Sequence, residues 1–179
     1  MYVNELMFSQ AMALSKKIEM VTKLQLKHEY YGSENFQIMN YGLGGKISPH
    51  VDSIGPNFGL NDSSMAEETF ESLATGGNRF VTFMIYLSSV ESGGSTIFTQ
   101  PGIAIEPVAG NALFWFNQGA QDNFDSRIRH LGCPVLYGNK WIANKWVKWL
   151  PQFRNYPCLR KEYFYSVYRD QMSCYNSLE

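Results

Sequence analysis

His130-Leu131-Gly132-Cys133-Pro134-Val135-Leu136-Tyr137-Gly138-Asn139-Lys140-Trp141 is the stretch on which the reading of this 179-residue chain turns. Gly138-Asn139 is a turn between two short apolar runs, and it brings a lysine into play ten residues after an imidazole. The upstream counterpart is Pro49-His50-Val51-Asp52. On a strand, residues two apart leave the same face, and Pro49 fixes the backbone just before the histidine. With His130 arriving from a distant strand, His50, Asp52 and His130 would form a face of two histidines and one carboxylate. That set suits a non-haem ferrous ion and leaves coordination positions open for small molecules. Lys140 would then hold a carboxylate of whatever chelates the metal. Of the three histidines, this uses two. His28, between Lys27 and Glu29, is read as a surface or helix-end residue with no chemical role. Taken singly each signal is weak: a His-x-Asp pair is commonly a surface pair, and an isolated lysine is commonly solvated.

Outward from these motifs the pattern is mainly β. Strands are expected at Phe36–Asn40, Ile47–Asp52, Phe80–Leu87, Ser95–Phe98, Ile103–Glu106, Asn111–Phe116, Val135–Tyr137 and Trp141–Val147. Gly42-Leu43-Gly44-Gly45, Gly93-Gly94 and Gly138-Asn139 supply turns, and Gly110-Asn111 is placed to close a hairpin. Before them, Met7, Leu14, Ile18 and Val21 share a helical face, which predicts an amphipathic helix over residues 5–26 packed on a sheet. The polar stretch from Ser53 to Asn78 is long enough to be functional or mobile. Many short strands with one helical layer fit an antiparallel sandwich or barrel.

The composition supports a folded globule of one domain: 45% hydrophobic, 15% aromatic, net charge −1. With no basic field, nucleic acid is excluded as a partner, and no apolar run is long enough for a membrane span. Met1-Tyr2-Val3-Asn4-Glu5-Leu6 shows no positive segment leading into an apolar core, so no signal peptide is read there. Cys133, Cys158 and Cys174 contain no CxxC pair, which argues against a structural zinc site. Asn61-Asp62-Ser63 is a glycosylation sequon of a kind that arises often by chance.

Several of these stretches together resemble the catalytic domain of the prolyl 4-hydroxylase family, of the kind carried by the alpha subunit of the collagen enzyme. They are Asn40-Tyr41-Gly42-Leu43-Gly44-Gly45 through Pro49-His50-Val51-Asp52, Gly77-Asn78-Arg79-Phe80, Gly93-Gly94-Ser95-Thr96-Ile97-Phe98, Cys133 through Trp141, and Asn144-Lys145-Trp146. The resemblance runs from about Leu14 to Cys158. It implies a double-stranded β-helix (jelly-roll) with a flanking N-terminal helix. It also implies Fe(II), 2-oxoglutarate as cosubstrate, molecular oxygen and ascorbate. The expected reaction converts peptidyl proline to 4-hydroxyproline in proline-rich or collagen-like substrates, releasing succinate and CO2. On this reading His50, Asp52 and His130 hold the metal and Lys140 takes the far carboxylate of 2-oxoglutarate. Tyr41 and Thr96 add hydroxyls around it, against a plain packing role. Arg79 and Trp146 flank the peptide, against a surface ion pair for the arginine and a core position for the tryptophan.

The resemblance further implies a Cys133–Cys158 disulfide, the endoplasmic reticulum lumen, and protein disulfide isomerase as a partner; two buried thiols are the alternative for the cysteines. Two positions depart from the family pattern. Ile47 stands where a tyrosine is common, three residues before the first histidine, and Lys148 where a histidine is common, two residues after the closing tryptophan. Both belong to the peptide side. The departures leave open an oxygenase acting on a different peptide, and a non-catalytic subunit that retains the fold is the third reading. The expected organisation is a single domain over 1–179, with a flanking helix at 1–30, a β-helix core at 36–150 and a C-terminal tail at 151–179.

Overall fold

The computed structural model of the chain describes residues 1–27, 32–53, 76–118 and 125–152. His28, Cys158, Cys174, the Asn61 sequon, most of the 53–78 stretch and nearly all of the tail lie outside the described residues. In chain order the elements are β1 (Tyr2–Val3), α1 (Ser9–Thr22), β2 (Phe36–Tyr41), β3 (Ile47–His50), β4 (Arg79–Tyr86), β5 (Ser92–Gly93), β6 (Thr96–Phe98), β7 (Ile103–Ile105), β8 (Ala112–Phe116), β9 (His130–Gly132), β10 (Val135–Tyr137) and β11 (Lys140–Lys148). Among the described residues every pairing of these strands is antiparallel. One sheet runs β1-β2-β11-β4-β8, a second runs β3-β9-β6-β7, and β10 pairs with β5. This is the expected mainly-β double-stranded β-helix with an N-terminal helix, and one cavity draws its walls from both larger sheets.

Side-chain alternation on β4 and β11 separates two cores. On one face Ala143 and Val147 of β11 and Val81 of β4 meet Ile18 of α1, with Phe36, Leu24 and Leu26 closing the cluster. On the other face Met84, Tyr86 and Ile142 pack with Trp115 of β8 beneath the cavity. β4 is a run of β-branched and aromatic residues because it is covered on both sides. The face of β11 that bears Val147 also buries Lys145, whose ammonium meets the carboxylate of Glu5 and donates 2.6 Å to the carbonyl oxygen of Glu34. Among the described residues no helix is long and apolar enough to cross a membrane.

Five expectations are corrected in detail. The helix is Ser9–Thr22, shorter than 5–26. Asn4 accepts the backbone N–H of Leu6 on its side chain and that of Met7 on its carbonyl, making a turn before the helix. At the other end Lys23 adopts φ 60 and its N–H closes on Glu19 O, a left-handed stop. The packed stripe is also rotated: Ala11, Leu14, Ser15 and Ile18 face the sheet, whereas Met7 and Val21 are exposed. β3 ends at His50, so Asp52 lies in a bend beyond the strand. β1 and β5 are not among the expected strands, and β9 is expected only as the strand that delivers His130, without bounds; each is only two or three residues long and carries no alternation to read. Gly110-Asn111 closes no hairpin between β7 and β8, because β7 pairs with β6 and β8 with β4. Gly110, at φ 86, instead donates 2.8 Å to Tyr86 O at the end of the β4–β8 ladder.

Candidate metal centre

β3 and β9 are four- and three-residue strands whose register sets His50 directly opposite His130. Their rings lie 4.3 Å apart between centroids. Each imidazole has its Nδ1 2.9 Å from the carbonyl oxygen two residues earlier, Ser48 for His50 and Ile128 for His130. A neutral imidazole that donates Nδ1–H to a carbonyl keeps its Nε2 lone pair free, the tautomer a metal ligand needs. Both Nε2 atoms face the same oxygen: Asp52 Oδ1 is 3.5 Å from His50 and 3.9 Å from His130. One ligand atom from each of the three residues lies within 4.8 Å of the other two. Among the described residues this is the one such grouping of histidine, cysteine and carboxylate side chains.

The electrostatics match the geometry. Burial alone would raise the Asp52 carboxyl. In the acid range where the imidazoles carry protons, the hydrogen bond from His50, the charge of His130 and the Thr82 hydroxyl together take it below its ordinary value. Burial pushes His130 down against the pull of Asp52, so it is neutral and ready to ligate at neutral pH. His50, which is less buried, is raised chiefly by its contact with Asp52. A buried carboxylate facing two Nε2 atoms is the donor chemistry that suits a divalent ion with N and O ligands.

A cavity of about 270 Å³ opens from this face toward Lys140. Lys140 is the first residue of β11 and is 3% exposed. Its ammonium donates 2.6 Å to Gly94 O and lies 3.4 Å from Thr96 Oγ1, between the rings of Tyr41 and Tyr86 at 5.5 and 5.6 Å. Burial lowers its pKa to about 8. Among the described residues no carboxylate pairs with it, although three donors sit on that nitrogen. Such a cation is fitted to receive a carboxylate from a ligand. A Cβ on Gly132 would meet Ile47 Cγ2 at 2.9 Å, so glycine lets β9 pair closely with β3 on the side of the cavity next to Lys140.

The remaining expected residues line the same cavity with differing roles. Thr96 Oγ1 accepts from Tyr86 at 2.8 Å as well as facing Lys140. The Tyr41 hydroxyl points instead at the sulfur of Met39, 3.8 Å away, and only its ring addresses the lysine. Arg79 stacks 3.5 Å over Trp146 and holds Glu34 through two bonds of 2.8 and 2.9 Å. It is therefore an ion-pair partner, as the alternative had it, but at the cavity wall, with Nη1 3.4 Å from Asp52 O. Trp146 is 5% exposed and has one face covered by that guanidinium. Lys148 is held 3.1 Å from Glu34 Oε1. Sequence reasoning passed over Glu34, Thr82, Tyr86 and Asn117. For Thr82, Tyr86 and Asn117 the available signal is a polar residue inside, or just past, an apolar strand; Glu34 lies two residues before β2 and gives no such signal.

A double-stranded β-helix carrying two histidines and a carboxylate, with a buried lysine across the cavity, defines a non-haem iron oxygenase that uses a 2-oxo acid. Family comparison agrees, and the chain belongs to the 2OG-Fe(II) oxygenase superfamily, whose model matches residues 36–148. Its cofactors are accordingly Fe(II) and 2-oxoglutarate. Prolyl 4-hydroxylase subunit alpha-1 from Gallus gallus and from Homo sapiens are each 40% identical over 130 residues, 73% of this chain and 23% of theirs. Subunit alpha-3 from Homo sapiens is 39% identical over 145 residues, 81% of this chain and 24% of its own. The chain thus spans about a quarter of the length of these curated relatives. The fold is shared with the viral collagen prolyl hydroxylase from Paramecium Bursaria Chlorella virus-1, solved as a 2OG complex. That likeness has a TM-score of 0.64 at 22% identity and covers 83% of this chain and 77% of the viral one.

Proposed function

We propose that this chain hydroxylates peptidyl proline to 4-hydroxyproline in collagen-like substrates, consuming O2 and 2-oxoglutarate and releasing succinate and CO2. The carrying observation is that the His50–Asp52–His130 face and the Lys140 ammonium open into one cavity whose wall includes Arg79 and Trp146. The relatives named as prolyl 4-hydroxylase subunits support the choice of proline. Bound Fe(II) supplies oxidation of an unactivated C–H bond, with ascorbate keeping it reduced. His50 and His130 would hold it through Nε2 and Asp52 through Oδ1. Lys140 would anchor the far carboxylate of 2-oxoglutarate, with Thr96 beside it and the Tyr41 ring as a wall. Arg79, fixed by Glu34, and the edge of Trp146 would orient the peptide. We assign the oxygenase domain to residues 36–150, flanked by a leading segment at 1–30 that carries α1 and by the tail at 151–179. The resemblance to the collagen enzyme further points to the endoplasmic reticulum lumen and to protein disulfide isomerase as a partner.

The test is mass spectrometry of proline-rich peptides incubated with the chain, iron, ascorbate and 2-oxoglutarate. A product one oxygen atom heavier, absent with His130→Ala, is expected; no oxidised peptide from a metal-loaded, folded chain would refute the assignment. A second reading, the same chemistry on another peptide, is favoured by Ile47, which lines the cavity, and by Lys148, which is tied to Glu34. It is distinguished by succinate release that responds to other peptides but not to proline-glycine repeats.

Lys140 also sets a pH dependence. Its amine is charged below about 8 and neutral above it. Affinity for 2-oxoglutarate is therefore level at neutral pH and falls roughly tenfold per unit as pH rises beyond that value, because only the ammonium pairs with a carboxylate. A KM for 2-oxoglutarate that stays flat to pH 10, on the order of two units higher, would remove the lysine from this role.

A further inference from the structure

We propose that Thr82 and Asn117 are positioning residues that commit one oxygen of Asp52 to the protein and reserve the other for the metal. The proposal rests on the metal-centre reading above and deepens it. Asp52 lies beyond the end of β3, so strand geometry does not orient its side chain. Thr82, at the middle of β4, supplies the constraint: its hydroxyl lies 2.6 Å from Asp52 Oδ2. It is locked in place by strand partners on both sides, Trp115 of β8 and Trp146 of β11.

The direction of the bonds follows from proton counting. A threonine hydroxyl has one proton to give. Asn117 Nδ2 lies 2.8 Å from Thr82 Oγ1 and is a donor only. The Thr82 oxygen accepts there, which sends its single proton to Asp52. With the amide reversed, an amide oxygen and a carboxylate would compete for that proton. Asn117 keeps the donating orientation even though its Oδ1 is buried without a hydrogen-bond partner among the described residues. Its backbone is anchored by a 2.8 Å bond from its N–H to Phe80 O. Thr82 and Asn117 are both 0% exposed, so water does not compete. The relay therefore occupies Oδ2 and leaves Oδ1, the atom that faces both Nε2 atoms, as a single-oxygen ligand.

The test titrates the full chain with Co(II) alone, reading its visible absorption, alongside thermal unfolding to verify the fold. Thr82→Val, which keeps the shape and removes the hydroxyl, is expected to weaken Co(II) binding ~10–100-fold, the range for an outer-shell partner. It should also change the band intensities, because Asp52 becomes free to chelate through both oxygens. Thr82→Ser restores the native affinity and spectrum. Asn117→Ala weakens binding severalfold in the native background and not at all beside Thr82→Val; should Thr82→Val fail to fold, its single-variant loss carries the test. Native affinity and spectrum in Thr82→Val, equal losses in Val and Ser, or no loss in Asn117→Ala would overturn the relay. A native chain that binds no Co(II) would overturn the metal centre itself, and the relay with it.

Discussion

His130→Ala is expected to abolish hydroxylation and to take metal binding with it. His130 is 6% exposed and sits opposite His50 in the register of β9 on β3, so neither solvent nor a neighbouring side chain replaces its Nε2. The change also removes part of what keeps the Asp52 carboxyl below its ordinary value. Two protein ligands would remain, and the loss should exceed the ~10–100-fold that follows from deleting an outer-shell partner. Calorimetric titration with Mn(II) reads this directly, and peptide mass spectrometry reads the turnover. Retention of near-native Mn(II) affinity would show that the ion sits elsewhere.

Lys140→Ala should act on a different step. The ammonium faces the cavity from a buried position and has no carboxylate partner among the described residues. Without it, the far end of 2-oxoglutarate would be desolvated with only the Thr96 hydroxyl for company. Truncating one member of a buried charge pair costs about 2–5 kcal/mol, a rise in KM for 2-oxoglutarate of roughly 30-fold to several-thousand-fold. Mn(II) binding should be unchanged, since the three ligand side chains are untouched. An unaltered KM would show that the cosubstrate is anchored by another group.

The contrast between these two residues and the relay behind Asp52 shows what a linear reading reaches. His50, Asp52, His130 and Lys140 were legible because each is chemically distinctive and held at fixed spacing by short strands and glycine turns. The route by which Asp52 reaches the site was not: it enters from a bend, not by strand alternation. The bounds of β9, the strand that delivers His130, were not legible because three residues, one of them glycine, carry no periodicity. Thr82 and Asn117 were hidden for a related reason. Threonine inside Phe80–Tyr86 satisfies β propensity, and its hydroxyl gains meaning only when Asp52 and Asn117 arrive from sequence 30 and 35 residues away. The helix was found, but its ends were set by Asn4 and Lys23, local turn chemistry that a hydrophobic stripe does not report.

The Glu5–Lys145 contact carries a practical corollary for anyone trimming this polypeptide. The family match begins at residue 36, yet Lys145 on β11 is neutralised by a side chain 31 residues upstream of that boundary. Cutting to the matched core would take the carboxylate from a lysine that is 0% exposed and whose pKa burial already lowers to about 7, and losing one member of such a pair costs about 3–5 kcal/mol. Because β11 also presents Lys140 and Trp146, the damage would reach the reaction chamber from behind. A minimal catalytic module therefore has to keep the leading segment that the homology boundary leaves out.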